Sequence, residues 1–177
     1  DQNGNLNPGS GLTRAELAVI LTRLSDKTGD MGRNSAYYRT ICPFTDVPEW
    51  AMPYAGYCAE KKLMAGYGNK LFGPNDPVTP AAACTVMLRY LDYPASQWNY
   101  STACDKASEL GLLPAGVAEG ASITRGNIAV LLYRALNGVD SENGAAATLP
   151  GVGDGYLTNG KPITEENVLE LLRQIEE

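Results

Sequence analysis

Four segments of the chain share one pattern, and it limits what the chain can fold into: LTRAELAVILTRL from Leu12, VTPAAACTVMLRYL from Val78, ITRGNIAVLLYRAL from Ile123 and ITEENVLELLRQI from Ile163. Each opens on a threonine (Thr13, Thr79, Thr124, Thr164) preceded by a β-branched residue or leucine. Threonine at this place accepts from the unpaired N–H groups of a helix start. Glu16, three residues after Thr13, completes a capping box. Leu17, Ile20, Leu21 and Leu24 then recur at helical spacing, as do Ile128, Leu131, Leu132 and Leu136. Five residues after the threonine the first three copies place a small residue (Ala18, Cys84, Ala129), which lets helices approach closely. Ten after it they place arginine (Arg23, Arg89, Arg134), expected in ion pairs between units. Repetition of this kind means stacked helical units that cannot bury their apolar faces alone. The chain of 177 residues is the size of one domain or one compact array of such units.

The central unit, residues 44–92, reads as complete. After Phe44-Thr45-Asp46-Val47, a helix is expected near Glu49, with Pro48 suited to its first turn. Gly66, Gly68 and Gly73 permit a tight turn with positive φ, from which Phe72 plugs the core. Pro74 to Pro77 redirects the chain into the Thr79-capped helix. A third unit covers 98–137, with Ala103, Ala107, Leu110 and Leu112 on its first helix, and a partial first unit covers 1–26. Residues 26–39 read as a surface loop. Residues 138–160 read as a Gly/Ala-rich linker, and 161–177 as a C-terminal helix packing on the repeats.

Several function classes are disfavoured. A net charge of −6 argues against generic nucleic-acid binding. No apolar run reaches the roughly 18 residues of a membrane span. The chain has no histidine, which removes the commonest general base and most zinc sites. Cys42, Cys58, Cys84 and Cys104 form no CxxC, so neither a metal cluster nor a cofactor is expected; Cys58 and Cys84 fall on apolar helical positions and read as buried thiols, with at least one disulfide among the four as the alternative. Asp1, Asn3 and Asn5 match the start of a calcium loop, but Leu6 and Leu12 stand where its glycine and bidentate acid belong. For an enzyme, Asp46 with Glu49 or Glu60 is the only carboxylate cluster to test, and these residues have capping explanations; no catalytic residue is expected.

The combination of Phe44-Thr45-Asp46-Val47, Trp50-Ala51, Gly66-Tyr67, Phe72-Gly73-Pro74 and Leu12-Thr13-Arg14-Ala15-Glu16 resembles the S-layer homology domain family over roughly residues 1–137. The resemblance implies a mostly α fold of three helix-loop-helix repeats around a pseudo-threefold axis, here with a short C-terminal helix added, as a monomer with internal pseudo-symmetry. It also implies a non-catalytic module at the cell wall of a Gram-positive-type bacterium. Its partner would be a secondary cell-wall polysaccharide bearing pyruvate ketals, bound in grooves between repeats by the arginine of the T-R-A-E motif. The second unit departs from that motif with Thr79-Pro80-Ala81-Ala82, and the third keeps only the arginine in Thr124-Arg125-Gly126-Asn127. Binding is then confined to one or two grooves, or lost, leaving a domain for protein–protein interaction or spacing at the surface.

The expected ligand residues follow from the chemistry of a ketal carboxylate. Arg14 and Arg125 match a planar anion with paired N–H donors, beside helix N-termini whose backbone N–H groups add affinity. Glu16 orients Arg14 or closes the capping box. Trp50, Tyr67 and Trp98 are candidate sugar platforms, although both tryptophans also read as core anchors. Gly66 and Gly68 let a polysaccharide approach the backbone.

Overall fold

In the computed structural model, residues 8–26, 28–114, 116–117 and 122–137 are described. The expected linker and C-terminal helix, and the calcium-like stretch at 1–7, lie outside them. Among the described residues the regular structure is helical: α1 (Arg14–Ser25), α2 (Asp30–Ile41), α3 (Met52–Glu60), α4 (Pro80–Tyr90), α5 (Ala103–Glu109) and α6 (Arg125–Asn137), with 3-10 turns at Ala95–Gln97 and Tyr100–Thr102. No helix among them is long and apolar enough to cross a membrane.

The threonine caps are as expected. Thr13 Oγ1 accepts from Glu16 N–H, and the Glu16 carboxylate accepts from Thr13 N–H at 2.6 Å. Thr79 and Thr124 cap α4 and α6 through the N–H groups of Ala82 and Asn127. The residue before each cap sits at the centre of the molecule: Leu12, Val78 and Ile123 are all at most 1% exposed. Their backbones join in series, Val78 N–H donating to Leu12 O at 2.8 Å and Ile123 N–H to Val78 O at 2.9 Å.

A second contact is made twice. Arg14 and Ala15 at the start of α1 donate their N–H groups to Asp76 O and Pro74 O. Arg125 and Gly126 at the start of α6 donate to Ser10 O and Pro8 O in the same way. Each of these helix starts is thus capped by a proline corner from another unit, which satisfies donors that a helix otherwise leaves unpaired. The counterpart on α4 begins at Pro80, which has no N–H to give.

Two expectations are corrected. Residues 26–39 are not a loop, because α2 occupies most of that stretch. The Asp26 carboxylate caps it by accepting from Asp30 and Met31 N–H, and Tyr38 packs edge-on against Tyr57 at 5.1 Å between ring centres. Gly56 permits the approach of α2 to α3: a Cβ there would lie 2.0 Å from Tyr38 O. The helix placed near Glu49 starts at Met52, after a turn whose N–H groups at Ala51 and Met52 donate to Pro48 O.

Candidate functional site

Arg14, the second residue of the first motif, is only 7% exposed, and a buried guanidinium is costly unless it is paired. Its partners are carbonyls of the central unit's glycine-rich turn: Nε donates to Phe72 O at 2.8 Å and Nη2 to Ala65 O at 2.7 Å. The guanidinium carbon lies 4.5 Å from the ring centre of Tyr67 and 4.8 Å from that of Phe72, within cation–π range. Among the described residues Nη1 donates to no acceptor. Arg14 borders a pocket of about 350 Å³ between α1, the turn and α4, with Gly66, Tyr67, Ala82, Thr85 and Tyr100 also on its walls.

The turn that holds Arg14 is itself clamped. Asp46 accepts from Phe72 and Gly73 N–H, both at 2.8 Å. Burial pushes its carboxyl pKa up, but those two bonds, with the nearby Arg14 charge, outweigh burial and hold it below the ordinary carboxylate value. Phe72 is fully buried and packs against Phe44 at 4.9 Å. Gly68 and Gly73 adopt φ of +95° and +70°. Gly66 does not. Glycine is needed there because a Cβ would lie 2.3 Å from Leu71 O.

Arg125, the equivalent residue of the third unit, meets a different environment. It is 5% exposed, and its Nη1 donates to Glu16 Oε1 at 3.1 Å. Of the two roles expected for Glu16, it closes the capping box, and it pairs with Arg125 rather than orienting Arg14. In register with Glu16, the second unit carries Ala82, so no carboxylate faces Arg14 from the corresponding place.

Of the expected ligand residues, the structure brings Arg14, Gly66 and Tyr67 to one pocket. Glu16 and Arg125 form their own pair at another junction. Trp50 is 56% exposed and Gly68 has open space beside it; neither is on the pocket wall. Trp98 is half-buried against the core, its Nε1 donating to Tyr93 O at 3.3 Å. The helix N-termini are not free for an anion, because the N–H groups of Arg14, Ala15, Arg125 and Gly126 are taken by proline-corner carbonyls. Arg89 and Arg134 also depart from expectation: Arg134 Nη1 donates to Gly111 O and Leu113 O at 3.2 Å, and Arg89 Nη1 reaches Leu63 O at 3.5 Å. They tie each helix to the loop before it. Thr85 and Tyr100 were not singled out by motif, though aligning the repeats marks Thr85, since the other units have Val19 and Val130 in its place.

Residues 43–83, which contain the Asp46 clamp, the Arg14-binding turn and the α4 cap, match the family model of the S-layer homology domain. This segment carries the S-layer homology signature. The chain's relatives include the "Middle cell wall protein" of Brevibacillus brevis, 30% identical over 139 residues that make up 76% of this chain and 13% of that protein. A "Cell surface protein" of Thermoanaerobacter kivui is 30% identical over 71% of this chain and 16% of its own length. A "Cellulosome-anchoring protein" of Acetivibrio thermocellus is 32% identical over 50% of this chain and 20% of its own length. The chain thus spans at most a fifth of the length of these relatives. No solved structure matches it.

Proposed function

We propose that this S-layer homology domain is a non-catalytic anchoring module that holds its protein at a bacterial cell wall by binding a carboxylated wall glycan in the pocket at Arg14. The observation that carries the reading is the state of that guanidinium. Two of its nitrogens are fixed by Phe72 O and Ala65 O over the Tyr67 ring, the third has no protein acceptor among the described residues, and the side chain borders a pocket. A pre-positioned cation in a low-dielectric wall favours an anion at little reorganisation cost. A pyruvate-ketal carboxylate on a secondary wall polysaccharide meets that demand, and Tyr67 and Tyr100, 63% and 59% exposed, offer faces for a sugar ring.

The reading includes closure of three units, 1–26, 44–92 and 98–137, about a pseudo-threefold axis. The serial bonds among Leu12, Val78 and Ile123 and the doubled proline-corner contact support it. The names of the wall, surface and anchoring relatives support a cell-surface location. Two of the three acids open to a catalytic reading have structural work: Asp46 clamps the turn and Glu49 pairs with Arg39 at 2.6 Å.

The test is co-sedimentation with purified wall sacculi, intact or stripped of pyruvylated polymer. Intact sacculi should bind the domain and stripped sacculi should not. Ala82→Glu, which puts a carboxylate opposite Arg14 without removing any packing, should abolish binding while the fold survives. Equal binding to both kinds of sacculi would instead favour a protein partner.

A further inference from the structure

We infer that Thr85 is a specificity residue of the Arg14 pocket, whose hydroxyl hydrogen-bonds a ring hydroxyl of the bound acidic sugar; this rests on the glycan reading above. Thr85 lies in the middle of α4, borders the pocket and is 5% exposed. Its Oγ1 is sealed from solvent and has no hydrogen-bond partner among the described residues. A buried hydroxyl without a partner destabilises the fold, whereas an apolar side chain of the same shape would not. The chain itself holds that alternative: the same register position is Val19 in α1 and Val130 in α6. The polar residue thus stands only in the unit whose pocket has an arginine with an unused nitrogen and no opposing carboxylate. Threonine in a helix occupies two χ1 wells, and rotation between them re-aims the hydroxyl, so it can turn to the pocket when a partner arrives. Arg14 then reads charge and Thr85 reads the ring beyond it. A plain anion would satisfy only the first.

The experiment titrates the full chain with two probes by calorimetry: a methyl hexopyranoside carrying a 4,6-linked pyruvate ketal, and the same ketal acid lacking its free ring hydroxyls. Thr85→Val should weaken binding of the hydroxylated acid about 3- to 10-fold and leave the deoxygenated acid unchanged. Thr85→Ser should restore affinity to within about twofold. Without ligand, Thr85→Val should melt at the same temperature or about 2–4 °C higher. If Thr85→Val binds the hydroxylated acid as wild type does, or melts lower, the inference falls while the glycan reading stands. If the wild type binds neither acid, both fall.

Discussion

Arg14 and Arg125 each follow the capping threonine of the recurring sequence pattern, are almost equally buried, and start helices capped by the same kind of proline-corner carbonyls. They differ in what completes them. Glu16 supplies a carboxylate to Arg125, whereas Ala82, the residue in Glu16's register, supplies nothing to Arg14. One junction is closed by an internal ion pair, and the other keeps a pocket with donor capacity unspent. On the proposed reading, the side chain facing each arginine decides whether that junction is structural or open to a ligand.

The largest effect that would break this comparison is at Arg14. Arg14→Ala should cost about 3 kcal/mol in urea unfolding, because two carbonyls lose their donor and two rings lose a cation; an unchanged midpoint would mean that the guanidinium does not hold the turn. Next is the clamp beneath it. Asp46→Asn should cost about 2 kcal/mol, the range for hydrogen bonds to a charged group. Because the folded pKa of Asp46 is below its ordinary value, its contribution is present at neutral pH and is lost as pH falls through the ordinary carboxylate value toward the folded one. The variant should therefore lose less stability than wild type between about pH 5 and pH 3 in acid titrations followed by circular dichroism.

Glu16→Gln sharpens the contrast from the other side. It should cost about 1–2 kcal/mol through the ion pair and capping box. If the difference between the junctions is only the facing carboxylate, it should also create weak carboxylate binding at Arg125, visible as a second set of chemical-shift changes. The smallest effect on stability is Ala82→Glu, which should add about 0.5 kcal/mol as the third residue of a threonine-capped helix while emptying the Arg14 pocket of ligand. If it leaves binding intact, the two junctions are not equivalent after all. Independently of both, Cys58, whose thiol burial pushes up to about 12, should resist alkylation until the chain unfolds.

The caps, the buried faces of α1, α4 and α6, and Phe72 as a core plug were legible because each depends on residues a few positions apart or on a helical period. The partners of Arg14 were not: Ala65 and Phe72 lie 51 and 58 residues away and contribute backbone carbonyls, which carry no side-chain signature. Sequence could place Arg14 at a helix start, but not show that its neighbouring N–H groups were already taken. The α2 helix was missed because its apolar content is low; its stability comes from the Asp26 cap and from Tyr38 against Tyr57. Trp50 was weighed as a core anchor or sugar platform, yet it precedes the helix that would have turned it inward and stands exposed. Thr85 was legible only by aligning the chain with itself.

The proline corners have a consequence for how the protein can be cut. The corner at 74–76 serves α1, and the corner at 8–10 serves α6, so neither of these helices is finished by the segment that carries it. An excised copy of residues 44–92 would expose carbonyls meant for a neighbour and strip Val78 of its acceptor at Leu12. The smallest piece that unfolds as one cooperative body is therefore larger than the sequence motif, and expression boundaries drawn at the motif edges should yield insoluble protein.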